Sequence, residues 1–172
     1  SMMAKKMFPE YANCISMALT PMTLTARLIK HHHQGDAKVA FIGPCAAKKL
    51  EAMRKDVRSE VDFVLTFEEM VGIFDARHVD LESLPEDPHG VNDASTDGRN
   101  FAVSGGVANA VVNVIKEKYP DREVKITNAE GLRECRKMMM AAKAGKFNGY
   151  LLEGMACPGG CVAGAGTMQP IK

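Results

Sequence analysis

Short apolar runs alternate along this chain with longer stretches of helical period. Val39-Ala40-Phe41-Ile42 is wholly apolar, the mark of a strand buried on both faces of a parallel sheet. Val61-Asp62-Phe63-Val64-Leu65, Val124-Lys125-Ile126 and Tyr150-Leu151-Leu152 are further short strand candidates. Between them lie amphipathic segments. Thr20-Pro21 opens the first as N-cap and first helical residue, Leu24, Leu28 and Ile29 form its apolar face, and Gly35 stops it. Ala46, Leu50 and Met53 share a face of the second. The third begins with the capping-box pair Thr66 and Glu69 and places Phe67, Met70, Val71 and Phe74 inside. Val107, Val111, Val114 and Ile115 mark a fourth, and Leu132, Cys135, Met139 and Ala142 mark a fifth over residues 131–146. Residues 8–16 read as an irregular or short helical lead-in. The polar stretch 78–100, with Pro85, Pro88, Gly90 and Gly98, reads as a surface loop or lid. This alternation predicts an α/β layered domain: a mostly parallel β-sheet flanked by helices.

Composition narrows the class. At 172 residues, with no repeat, low-complexity tract or linker, residues 1–172 are expected to form a single domain. The net charge of +1, with both signs interspersed, gives no basic face for nucleic acid. No apolar run approaches the ~20 residues of a membrane span. Ser1-Met2-Met3-Ala4-Lys5-Lys6 lacks the apolar core of a signal peptide, so a cytoplasmic location is expected. Ser1 before a methionine has the look of a cloning scar, which makes the chain a candidate piece of something longer. The odd count of five cysteines favours ligand or buried-thiol roles over disulfides. The 12 methionines and absence of tryptophan describe an adaptable interior.

The chemistry concentrates in the cysteines. After Tyr150-Leu151-Leu152 comes Glu153-Gly154-Met155-Ala156-Cys157-Pro158-Gly159-Gly160-Cys161, a strand delivering two thiols into a tight turn. Its glycines can take positive φ and bring their N–H groups close to a ligand. Cys45 likewise follows a strand end and Gly43-Pro44, and precedes a helix whose dipole favours a thiolate. The carboxyl ends of parallel strands are where ligands bind in such sheets. Cys14 and Cys135 lack that placement, and Cys135 reads as an inert core thiol. Three thiolates without a histidine at zinc-finger spacing suit an iron–sulfur cluster better than structural zinc. His31-His32-His33 reads as a solvated helix end, because adjacent helical residues point apart. The segment Phe101 to Gly106 is either an anion-binding helix start or a glycine turn for close packing. Gly164-Ala165-Gly166 fails the spacing of a dinucleotide loop.

These stretches resemble a known family, the C-terminal catalytic domain of the iron-only (FeFe) hydrogenases. Gly43-Pro44-Cys45-Ala46-Ala47-Lys48-Lys49-Leu50-Glu51 is similar to its second signature, Met-Pro-Cys-x-x-Lys-x-x-Glu. Glu153 to Gly164 is similar to the third, Glu-x-Met-x-Cys-x-x-Gly-Cys-x-x-Gly. Phe101 to Val107 resembles a Phe-Gly-x-Thr-Gly-Gly-Val segment, and Pro9-Glu10 to Thr20-Pro21 resembles the residues after the first signature. The resemblance implies an H-cluster, a 4Fe–4S cubane joined through a cysteine sulfur to a two-iron subcluster bearing CO, cyanide and a dithiolate. It implies that Cys45 and Cys157 ligate the cubane and that Cys161 ligates it and bridges to the two-iron unit. Lys48 would hydrogen-bond a cyanide, as an ammonium donates to an anionic ligand, and Met155 would pack against the two irons. Ser16 falls at a proton-relay position, or is simply a polar turn residue. The implied partners are H2, protons, and a ferredoxin-like carrier or fused iron–sulfur domains.

Three departures qualify this. The first signature, Thr-Ser-Cys-Cys-Pro, is absent, as is the segment after the third, so the chain reads as a fragment not expected to hold a complete cluster alone. Gly43 stands where the family has Met, and Gly164-Ala165-Gly166-Thr167-Met168-Gln169-Pro170 replaces Gly-Gly-Gly-Gln-Pro. Lys48 and Met155 favour an enzyme. Gly43 favours a non-turnover relative, either a hydrogen sensor or an iron–sulfur assembly protein.

Overall fold

A computed structural model describes residues 2–87 and 93–169; Pro88 and Gly90 of the expected loop, and Pro170, lie outside the described residues. In chain order the elements are α1 (Met2–Met7), a 3-10 turn (Pro9–Cys14), α2 (Pro21–His32), β1 (Ala40–Gly43), α3 (Ala47–Met53), β2 (Phe63–Thr66), α4 (Phe67–Ala76), a 3-10 turn (Leu81–Ser83), α5 (Thr96–Asn100), α6 (Gly106–Lys118), β3 (Lys125–Glu130), α7 (Leu132–Lys143), β4 (Tyr150–Met155) and a last 3-10 turn (Cys161–Ala163). The α/β class with parallel strands stands. The strands are distributed as two parallel pairs, one in each of two compact units: residues 1–15 with 87–163, and residues 16–86 with 164–170.

In the second unit β1 and β2 pair from Ala40↔Phe63 to Gly43↔Thr66, and α3 and α4 pack on the pair. Thr66 ends the strand and caps α4 by the expected reciprocal pattern: its hydroxyl accepts the Glu69 N–H at 3.2 Å, and the Glu69 carboxylate accepts the Thr66 N–H at 2.8 Å. Two donors left orphaned at the helix start are thereby satisfied. The expected inner faces are corrected here. Met22, Thr23 and Ala26 are the buried residues of α2, while Leu24, Leu28 and Ile29 are exposed. Leu50 and Met53 of α3 are 70% and 80% exposed, and Phe67 and Val71 of α4 are also exposed. Small residues allow the closest approach of a backbone, and a two-stranded pair offers too little area to cover a broad apolar stripe.

Asp62 anchors the entry to β2. Its carboxylate accepts from Lys30 Nζ at 2.9 Å, the Val39 N–H at 2.9 Å and Lys38 Nζ at 3.2 Å. The Lys30 hydrogen bond, followed by the Val39 N–H, holds the Asp62 carboxyl well below the usual carboxylate range. Because the folded state binds this proton less tightly than the unfolded chain, the contribution is complete above pH ~3.9 and is lost as the pH falls below it. Urea midpoints measured at pH 7 and pH 3 should therefore converge more closely for Asp62→Asn than for the unsubstituted chain.

In the first unit β3 and β4 pair in parallel from Lys125↔Tyr150 to Glu130↔Met155, flanked by α6 and α7. Cys135 and Met138 are the buried residues of α7, and Gly106, Ala108 and Val112 those of α6. The face expected for α6 is thus rotated, leaving Val111 and Val114 exposed, and Leu132 of α7 is exposed as well. The stretch expected to be a loop contains α5, whose N-cap Ser95 accepts the Gly98 N–H at 3.1 Å.

Candidate functional site

The parallel register brings the ends of β3 and β4 level, and the chain leaves β4 directly into the cysteine turn. Gly159 and Gly160 have φ of +81° and +94°, a region open to glycine at no steric cost. The Gly160 N–H donates to the Cys157 carbonyl at 3.1 Å, closing the turn. The turn is then fastened to residues 102–104: Gly160 forms an antiparallel bridge with Val103, and the Val162 N–H donates to the Ala102 carbonyl at 3.1 Å. A Cβ on Gly160 would lie 2.6 Å from both the Ala102 O and the Ser104 N. Cys157 and Cys161 are half-buried, and Met155 is buried.

Glu153 is the residue that sequence reasoning passed over. Its side chain is buried on β4, and its two carboxylate oxygens accept the N–H groups of Gly105 and Ala108, each at 2.7 Å. Gly105, at φ +84°, is the N-cap of α6 and has no side chain with which to cap it. The negative carboxylate complements the positive end of the helix dipole. Both readings of this helix start meet here: the chain supplies an anion itself in Glu153, and Gly106 packs so closely that a Cβ would lie 1.9 Å from the Asn100 O. Glu153 stood in the quoted third signature, directly after the apolar run, but nothing local in the sequence marked its burial or its partners.

Cys135 is confirmed as a core thiol. Its Sγ–H lies 3.4 Å from the carbonyls of both Ala129 and Met155, and burial pushes its pKa up, which suppresses the thiolate. Gly154 makes room for it, since a Cβ there would sit 3.2 Å from the sulfur.

In the second unit Cys45 lies between β1 and α3, half-buried, with its carbonyl accepting the Lys48 N–H at 3.2 Å. The preceding Pro44 carbonyl accepts the Gly166 N–H at 2.9 Å. Gly166 fits there for want of a Cβ, which would meet the Thr66 Cβ at 2.5 Å. Lys48 Nζ pairs with Glu51 Oε2 at 2.5 Å, and Glu51 Oε1 accepts from the Thr20 hydroxyl at 2.7 Å. The second-signature lysine and glutamate are thus partners, with Thr20 as the third member. Gly43 carries the Phe41 ring against its backbone: a Cβ at position 43 would lie 2.9 Å from ring carbons. Ser16 is exposed, and its hydroxyl accepts the Ala18 N–H at 3.2 Å. His31, His32 and His33 are exposed at the end of α2, as expected.

Among the described residues, no group of three or more His, Cys, Asp or Glu side chains is gathered closely enough to hold a metal ion. The donors nonetheless fit an iron–sulfur group in kind. Cys157 and Cys161 are soft thiol donors on a glycine turn, and the pKa-raised thiol, Cys135, is the one packed away from it. They fall short in number, since a cubane takes four ligands.

Parallel strand pairs that present cysteines just past their carboxyl ends define a thiol-presenting α/β protein. The chain belongs to the family described as iron only hydrogenase large subunit, C-terminal domain, which it matches over residues 1–165. It is 29% identical to the periplasmic [Fe] hydrogenase large subunit of Nitratidesulfovibrio vulgaris, the alignment covering 98% of this chain and 49% of that protein. It is 30% identical to a probable cytosolic Fe-S cluster assembly factor of Drosophila grimshawi, over 75% of this chain and 36% of that one. A solved [FeFe]-hydrogenase structure superposes with a TM-score of 0.74 at 21% identity, covering 98% of this chain and 58% of the other, which shows the shared fold. The chain spans half or less of the length of these two sequence relatives. One of these is periplasmic and the other cytosolic, and no helix among the described residues is long and apolar enough to cross a membrane.

Proposed function

We propose that this chain is part of a cytoplasmic [FeFe]-hydrogenase-like protein that interconverts H2 with protons and electrons at an H-cluster. The carrying observation is the Cys157-Pro158-Gly159-Gly160-Cys161 turn at the carboxyl end of β4, within a chain of this family. In this reading Cys45, Cys157 and Cys161 would hold the cluster, and Cys161 would also serve the two-iron unit. When bound, that unit supplies the redox chemistry, and the protein supplies ligands, a dry setting and a proton path. Lys48, whose Nζ pairs with Glu51, would donate to an anionic cyanide of that unit. The buried Met155 would pack against the two-iron unit, and Ser16, where it is more than a polar turn residue, would pass protons. Electrons go to a ferredoxin-like carrier or to fused iron–sulfur domains.

A second reading, a hydrogen sensor or iron–sulfur assembly protein, draws support from Gly43. The Phe41 ring occupies the space a larger residue 43 would enter, which alters packing where the family has Met. Anaerobic reconstitution of the full-length gene product with maturation enzymes separates the two. Infrared bands of bound CO and cyanide together with H2 turnover are the expected result. A cubane signal without those bands would overturn the enzyme in favour of the second reading.

A further inference from the structure

The carboxyl end of β3 carries an acid that none of the family's signatures accounts for. Glu130 is the last residue of β3 and stands in register with Met155. The next residue, Gly131, donates its N–H back to the Met155 carbonyl at 2.9 Å, so the strand end is fastened on both sides of Glu130. From that base Glu130 Oε2 accepts the Gly159 N–H at 3.0 Å. Of the residues between Cys157 and Cys161, Pro158 has no N–H and Gly160 donates to the Cys157 carbonyl. Gly159 is therefore the donor the turn has left, and Glu130 takes it.

That matters because hydrogen bonds to sulfur, together with net charge, tune the potential of iron–sulfur clusters. An acid bonded to the turn withdraws one donor from the sulfurs and places a negative charge beside the ligand loop. We propose that Glu130 is a positioning residue for the Cys157–Cys161 turn, and that its charge holds down the reduction potential of a cluster bound there. The second half rests on the cluster reading above.

Glu130→Gln and Glu130→Ala separate geometry from charge, since the carboxamide oxygen of Gln still accepts while Ala removes both. In the metal-free 15N-labelled chain, Gly159 amide exchange should be about tenfold faster in Glu130→Ala and close to unsubstituted in Glu130→Gln. In the reconstituted full-length protein, an EPR-monitored titration should find the Glu130→Gln midpoint more positive, by about 59 mV if the one-electron equilibrium shifts tenfold. Unchanged exchange in Glu130→Ala overturns the positioning role. An unchanged midpoint in a loaded Glu130→Gln overturns the charge effect while the cluster reading stands. Failure of the unsubstituted protein to take up a cluster sinks that reading and the charge effect together, and the exchange rates still decide positioning.

Discussion

Glu153→Ala is expected to destabilise the chain by about 3–5 kcal/mol, since a hydrogen bond to a charged group contributes about 1.5–3 kcal/mol. The substitution leaves the Gly105 and Ala108 N–H groups without an acceptor, and the Ala108 bond is a buried one. Water cannot readily replace the carboxylate there, so the donors incur the desolvation cost of unmade bonds. It also removes a negative charge from the positive end of α6. A loss of this size is a large fraction of a typical domain stability of about 5–15 kcal/mol. Glu153→Gln should cost less, about 2 kcal/mol, because its oxygen still accepts one N–H while its NH2 meets the other donor unfavourably. Urea midpoints followed by circular dichroism give the magnitudes. Amide exchange at Gly105 and Ala108, faster than elsewhere in α6, assigns the loss to this carboxylate. Equal stability of Glu153→Ala and the unsubstituted chain would show that the pair of bonds has no net worth.

That carboxylate also marks the boundary of what could be read from the sequence. Features confined to a few residues were legible. The Thr66–Glu69 capping box forms as written, the four strands occur within a few residues of the apolar runs, and the cysteine turn takes the conformation its glycines permit. The Glu153 bond to Ala108 joins residues 45 apart, and no local pattern announces it. The same holds for Gly159 and Glu130, 29 apart, and for the Thr20 hydroxyl on Glu51, 31 apart. Inner faces failed for a different reason. Hydrophobic period names a stripe by its largest side chains, whereas α2 buries Met22, Thr23 and Ala26, and α6 buries Gly106, Ala108 and Val112. Apart from Met22 and Val112, the residues these two helices bury are small and let the backbone approach closely, while the other bulky ones beside them stay partly in water. Helix α1 was missed because its six residues, with two lysines at the end, bury none of their side chains and so carry no apolar stripe.

Gly160→Ala is expected to destabilise the chain by a similar amount, about 3–4 kcal/mol, through two separable costs. The φ of +94° is outside the range an L-residue adopts freely, and a left-handed residue costs roughly 1–2 kcal/mol. The new Cβ would also lie 2.6 Å from the Ala102 O and the Ser104 N. Both are backbone atoms and cannot rotate aside as a side-chain tip would, so the turn or the 102–104 segment must move. Gly149→Ala supplies the reference: its φ is +78°, but nothing lies within 4 Å of the added carbon, so it incurs the backbone cost alone. The difference between the two thermal midpoints therefore measures the steric contact that holds the turn against residues 102–104. Movement there parts the Val103–Gly160 bridge and the Val162 N–H bond to Ala102, both beside Cys161. If Cys157 and Cys161 are cluster ligands, Gly160→Ala should lose cluster uptake on reconstitution while Gly149→Ala keeps it. Equal uptake by both would mean that the thiols do not depend on the contact that fixes the turn.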